Sequence, residues 1–224
     1  MLRPTNTSYR LGRLARSPHY LSLLFVIAAC SSQTATHNTT GTMVTGDARR
    51  AQILEGRFLV ITHDCGGCHG GNSDPRSPLW LSGVHSKLDE FQIGPFTTRP
   101  RNLTPDNQTG IGRFSERQIF NALRYGLRPG ETPDVQITSM VPGQGNFPLH
   151  PRYLAIPMPW TAWRYMPDQE LWAIAAYLKG GLKPVHNLVK DSEGPPDFWA
   201  SYYVPDTIGT YPAAPFPTVN ERER

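Results

Sequence analysis

Cys65-Gly66-Gly67-Cys68-His69 is the stretch on which the reading of this 224-residue chain turns. Two cysteines three positions apart share one face of a short helical turn, and an imidazole follows directly. Four readings compete for it. A thioredoxin-like redox pair needs a βαβ surround, and none is written around these residues. A structural zinc site needs a fourth ligand and as a rule a second pair, yet no other C-x-x-C or H-x-H cluster occurs. A chance match is the bland alternative. Covalent attachment of c-type haem uses all three residues. Each thiol forms a thioether to a vinyl group of one macrocycle, and His69 presents its ring to the iron from the same side. Gly66 and Gly67 let the backbone pass close to the porphyrin.

Haem attachment of this kind happens outside the cytoplasm, and the N-terminus supplies an address. Residues 1–20 carry arginines and no acid, and Leu21 to Ala29 form a short apolar run before small residues. This reads as a secretory signal over 1–29, too short to span a bilayer. It ends Ile27-Ala28-Ala29-Cys30, which resembles the lipobox of bacterial lipoproteins, with Cys30 acylated as the first mature residue. Two or more acyl chains hold a protein on a membrane persistently. Ser31 fits sorting to the outer membrane. With Cys30 lipidated and Cys65 and Cys68 bound to haem, each of the three cysteines has a role.

The formal charge of +4 comes from that leader. It holds Arg3, Arg10, Arg13 and Arg16, and removing these four from the 22 basic residues leaves a balance against 18 acidic ones. A neutral chain with no Lys/Arg run gives no electrostatic case for nucleic acid as a partner. No apolar run reaches the length of a transmembrane helix. The 22 prolines and 20 glycines predict a loop-rich domain rather than a disordered one.

Residues 30–46, rich in Ser, Thr and Gly, read as a flexible tether. Helical spacing of Ala51, Leu54, Phe58 and Ile61 predicts a helix from Asp47, its N-cap, to Ile61. Gly56 within it marks close approach of another helix. Ser115 and Gln118 form a capping box for a second helix, with Ile119, Phe120 and Leu123 on its apolar face and Gly126 at its end. A third runs from Pro167 to Leu178, with Asp168 and Glu170 at the positive end of its dipole and Gly180-Gly181 stopping it. Nothing strand-like is long enough for a sheet. The expected fold class is therefore all-α: a helical domain over 47–190 with long Pro/Gly loops around one covalent haem, which supplies the core. Residues 191–224, with several prolines and the aromatics Phe198, Trp199, Tyr202 and Tyr203, read as an extended strap over its surface.

On these residues the chain resembles class I c-type cytochromes, in which an N-terminal helix carrying Gly56 crosses a C-terminal helix carrying Tyr177-Leu178-Lys179. It is more similar to the cytochrome c domains that accompany membrane-bound periplasmic dehydrogenases of alcohols, aldehydes and sugars. Asn102-Leu103-Thr104-Pro105-Asp106, Thr109-Gly110-Ile111-Gly112, Phe114-Ser115, Ala122-Leu123-Arg124 and Pro157-Met158-Pro159-Trp160 carry that resemblance. Those subunits typically hold several haem motifs where this chain has one, and residues 129–156 read as an insertion.

His69 fills one axial position; the other is open to Met, His or neither. Met140 lies in the insertion, and Met166 sits beside the last helix as a packing contact. His85, His150 and His186 are the histidine candidates. Met158 stands between two prolines that fix φ on both flanks, and the resemblance implies that the Met of this stretch is the ligand. His63 and Asp64 read as surface residues. Asn102 and Thr104 are candidates for hydrogen bonds to a propionate, with Arg101 or Arg99 to neutralise it; a satisfied turn with solvated arginines is the competing reading. Trp160 and Trp163 are expected at the haem edge.

Six-coordinate iron leaves no place for substrate, so the first functional reading is not an enzyme but a one-electron carrier. Its partners would be redox proteins: a dehydrogenase, another cytochrome or an oxidase. The second reading is the electron-accepting subunit of a dehydrogenase, told apart by copurification. The third is a haem-based ligand binder, which needs a displaceable sixth ligand. Each is expected on the periplasmic side of a bacterial membrane, held by lipid.

Overall fold

The first long helix, α1, spans Gly46–Thr62, and the face it buries is chosen by a glycine. A Cβ on Gly56 would collide with the carbonyl of Ala173 and with Tyr177, so here two helix backbones touch. Gly56, Leu59 and Val60 are the buried residues. Leu54 and Phe58, counted by spacing into the apolar face, are instead 57% and 65% exposed. Each stands two residues from Gly56, about 200° round the helix, so a glycine at the crossing must turn them outward. Asp47 lies in the first turn rather than capping it.

The computed structural model describes residues 46–195 and 197–209. The expected signal, Cys30 and the tether fall outside these residues, as does the chain beyond 209. The partner of α1 is α5, Asp168–Gly180, with Pro167 as its N-cap residue rather than in its first turn. Leu171 and Ala173 to Leu178 are all buried, so α5 is covered on nearly every side. Between them in sequence come α2 (Cys65–His69), a β1–β2 hairpin (Phe91–Ile93 and Phe96–Thr98), α3 (Glu116–Tyr125) and α4 (Trp160–Trp163). A last helical turn, α6, covers Pro205–Ile208. The fold is mostly helical. The expectation of no strand needs one correction: β1 and β2 pair antiparallel with Gln92 opposite Thr97, and Thr97 forms a further bridge to Glu193.

The capping box on α3 is present in both directions. Ser115 Oγ accepts from the Gln118 N–H at 3.1 Å, and the Gln118 side chain accepts from the Ser115 N–H at 3.1 Å. Gly126 ends the helix at φ 68°, a left-handed conformation suited to glycine. Trp172 on α5 stacks on Phe120 of α3, with ring centroids 4.5 Å apart. Lys179 donates to the carbonyls of Gly112 at 2.5 Å and Phe114 at 2.7 Å, tying the end of α5 to the loop that enters α3.

Residues 129–156 close onto the outer face of α3. Gln118 donates to the carbonyls of Pro129 and Thr132, Asn121 to that of Val135, and the Tyr125 hydroxyl to that of Ile137. Residues 197–209 depart from an extended strap. They form helical turns and insert Trp199 and Tyr203 into the core, leaving Phe198 and Tyr202 outside.

Candidate functional site

Helix α2 is a single turn carrying Cys65, Cys68 and His69, and the structure explains both of its glycines. A side chain on Gly66 would enter the ring of Trp80, and one on Gly67 would meet the Asp64 carboxylate. Trp80 is fixed in turn by donating its indole N–H to the Tyr177 hydroxyl at 3.1 Å, which joins α2 to α5. After His69 the chain reverses at Gly70 and Gly71, with φ near 100° at both, a region costly for any other residue. Leu81 and Gly83 then donate to the carbonyls of Gly70 and His69, and Leu103 donates to Leu81.

That backbone ladder places the carbonyl of Arg101 2.7 Å from His69 Nδ1. A carbonyl only accepts, so Nδ1 carries the proton and Nε2 keeps its lone pair. Burial pushes the imidazole below its ordinary pKa, with the Arg101 carbonyl opposing, which favours the neutral ring. A neutral imidazole with its second nitrogen oriented by a carbonyl is the ligand form that metals take.

Cys65 and Cys68 are free thiols. Burial, helped by the Asp64 charge, pushes Cys65 up to about 12, and the same causes raise Cys68. Thiols held protonated are poorly poised for disulfide exchange, which needs thiolate. Among the described residues no group of three or more His, Cys, Asp or Glu could hold a metal ion. Two protonated thiols on one turn, followed by an imidazole of fixed tautomer, fit thioether attachment of haem.

No family model matches the chain. The gluconate 2-dehydrogenase cytochrome c subunit of Pantoea cypripedii is 28% identical over 176 residues, which is 75% of this chain and 33% of that protein. The fructose dehydrogenase cytochrome subunit of Gluconobacter japonicus is 26% identical over 62% of this chain and 23% of its own length. The quinone alcohol dehydrogenase cytochrome c subunit of Gluconacetobacter polyoxogenes is 28% identical over 63% and 24%. The chain resembles the cytochrome c subunits of bacterial dehydrogenases. It spans a third or less of the length of these relatives.

Around that cytochrome-like turn the other sequence candidates fall unevenly. Met158 is half-buried against the core. Its N–H donates to the Ala155 carbonyl at 2.9 Å, and its own carbonyl accepts from Trp160 at 2.9 Å, which makes two tight turns around it. The Met140 sulfur instead accepts from the Arg164 guanidinium at 3.2 Å. Met166 packs at the entry to α5, where its carbonyl accepts from Arg124. His85 sits on the Ser82 hydroxyl at 2.8 Å, and His150 and His186 are exposed.

Asn102 and Thr104 are buried with their hydrogen-bonding capacity filled by protein. The Asn102 amide donates to Thr109 Oγ1 and the Val185 carbonyl, and its oxygen accepts from the N–H and hydroxyl of Thr104. Thr104 Oγ1 also accepts from the Val185 N–H. In this structure they staple the 102–109 loop to residues 185–187 and offer no spare donor to a propionate. Arg99 departs from the competing reading of solvated arginines, while the Arg101 side chain stays 48% exposed. Arg99 is buried on Glu90 at 2.7 Å. The Arg101 guanidinium donates to the Val189 carbonyl and to Asp191. The contribution of Arg101 that sequence reasoning missed is its backbone carbonyl, which carries no sequence signal. His63 also departs from a plain surface residue. Its ring bonds the Leu59 carbonyl at 2.8 Å and lies edge-on to Trp163 at 6.0 Å.

Proposed function

We propose that this chain is a monohaem c-type cytochrome that carries single electrons between a dehydrogenase or other redox donor and a respiratory chain. It does so on the periplasmic side of a bacterial membrane, held there by lipid on Cys30. The observation that carries the reading is the His69 ring, fixed through Nδ1 by the Arg101 carbonyl on the one helical turn that also holds Cys65 and Cys68.

Cys65 and Cys68 would hold the group by thioethers, and His69 Nε2 and the Met158 sulfur would be the ligands to its iron. Bound haem supplies an iron that changes valence by one electron. The protein's part is to keep both ligands in place in both valence states. The Arg101 carbonyl holds the His69 ring against rotation, and the prolines flanking Met158 restrict its backbone. A thioether is a soft neutral ligand that favours Fe(II) relative to imidazole and so raises the potential. No residue moves a proton or binds substrate in this scheme.

A second reading has its own support. The relatives are named as subunits of dehydrogenases, so the chain also fits as the electron-accepting part of such a complex. Copurification with a catalytic partner separates the two.

The test is spectroscopic. Covalent haem should stain on a denaturing gel of the wild type, and Cys65→Ser or Cys68→Ser should lose or weaken it. Met158→Ala should abolish the long-wavelength iron–sulfur band of the oxidised protein and let carbon monoxide bind the ferrous form. Wild type that stains for no haem sinks the proposal. Wild type that binds carbon monoxide readily shifts it to a ligand binder.

A further inference from the structure

Trp160, two residues after Met158, is fully buried. It is caged on three sides. A side chain on Gly126 would enter its ring, so the C-cap of α3 lies directly against it. Tyr153 stacks on it with centroids 5.9 Å apart and planes at 4°. Tyr203 meets it edge-on at 4.9 Å, and also meets Tyr153 at 5.1 Å. Tyr153 lies in the stretch leading to Met158, and Gly126 is tied to that stretch by the Leu154 N–H, which donates to its carbonyl. Tyr203 comes from the C-terminal segment, whose composition alone suggested a surface strap.

That segment is fastened at one end to residues that precede Met158 and at the other to the residue that closes α4 after it. Asp197 pairs with Arg128 at 2.9 Å and with Arg152. These two arginines face one another across the ladder in which Arg128 N–H donates to Arg152 and Leu154 N–H donates to Gly126. Trp199 then packs on Phe96 of the β2 strand at 5.0 Å. Beyond Tyr203, the carbonyls of Ile208 and Gly209 accept from the buried Arg164 guanidinium at 3.2 and 3.4 Å. Arg164 directly follows α4, the helix that Trp160 opens. Residues 197–209 therefore run from one side of the Met158 loop to the other, with Tyr203 seated at the middle.

We propose that this segment is a clamp that holds Met158 at the haem iron, with Tyr203 its central positioning residue. The inference rests on the Met158 reading above. Met158 sits on a short lever from Trp160: its carbonyl accepts from the Trp160 N–H, and Pro159 between them leaves little backbone freedom. Whatever lets the indole shift lets the sulfur leave. Without the Tyr203 ring, Trp160 and Tyr153 each lack an edge-on neighbour, and the detached state should be populated about tenfold more.

The experiment uses full-length holoprotein. Tyr203→Ala should keep covalent haem, weaken the long-wavelength iron–sulfur band, lower the reduction potential and raise carbon monoxide uptake about tenfold. Tyr203→Phe, which keeps the ring, should restore most of the wild-type spectrum. Tyr202→Ala, one residue away and 61% exposed, should be silent. Should Tyr203→Ala fail to yield folded protein, Asp197→Asn loosens one end of the clamp without emptying the core and should move the same readouts in the same direction. The clamp is overturned where Met158→Ala abolishes the band but Tyr203→Ala and Asp197→Asn leave band, potential and uptake as in wild type. It is equally overturned where Tyr202→Ala matches Tyr203→Ala, since the effect is then general loosening. A band that survives Met158→Ala removes the ligand reading itself.

Discussion

Asn102 is a sequence candidate for a propionate hydrogen bond whose amide, in this structure, is taken up by protein on both sides. It drew notice in the Asn-Leu-Thr-Pro-Asp block, and the structure makes it a staple between two loops. Asn102→Ala would leave the buried Thr104 N–H and hydroxyl without the acceptor they share and take one of two donors from the Val185 carbonyl. Each such group costs about 1–3 kcal/mol. The expected outcome is a variant that still stains for haem but melts many degrees lower, measured by thermal unfolding. Asp106, four residues on, gives a pH dependence. Its carboxylate accepts from the Thr109 N–H and hydroxyl and from the Gln108 N–H, which hold its pKa below the ordinary carboxylate value. A depressed folded pKa means stability that is full above the unfolded value of about 4 and lost as pH falls through the folded one. Asp106→Asn should therefore flatten the fall of the melting temperature below about pH 4, and a variant as acid-sensitive as wild type would refute this.

Among the elements, α3 was the most legible, because its start and stop signals are local: Ser115, Gln118 and Gly126 act within one turn of themselves. Ser115→Ala should cost about 1 kcal/mol in chemical denaturation, the ordinary worth of an N-cap. Helix α1 was legible in extent and misread in orientation, since the face it buries is set by a partner far along the chain. Gly56→Ala tests that partner. The added methyl meets backbone on α5, which cannot rotate away, so the cost should exceed that of the lost cap, at about 1–3 kcal/mol or more. If Gly56→Ala costs less than Ser115→Ala, the close crossing is wrong. The hairpin was missed because three-residue strands are too short to show alternation.

Across the whole molecule, the Cys65–His69 turn and the ends of α3 could be read from sequence because a C-x-x-C-H motif and helix caps are both written at fixed local spacing. The Arg101 carbonyl, the cage around Trp160 and the docking of residues 197–209 could not, since each depends on which distant segment arrives beside which. The expected lipid at Cys30 lies outside the described residues and has its own test. Cys30→Ser should move the protein from the membrane fraction to the soluble one, and mass spectrometry of the mature N-terminus should find acylated Cys30 in the wild type. A free N-terminus beyond Cys30 would exclude the anchor.

The crossing of Gly56 on Ala173 has a kinetic side. It closes the fold with a contact between segments far apart in the sequence, and such distant pairings slow folding. Until residues near Gly180 are available, α1 has only its own helical tendency, and most of a helix's stability in a protein comes from packing one face on a partner. Helix α1 therefore gains its full order only when α5 arrives to cover its Gly56 face.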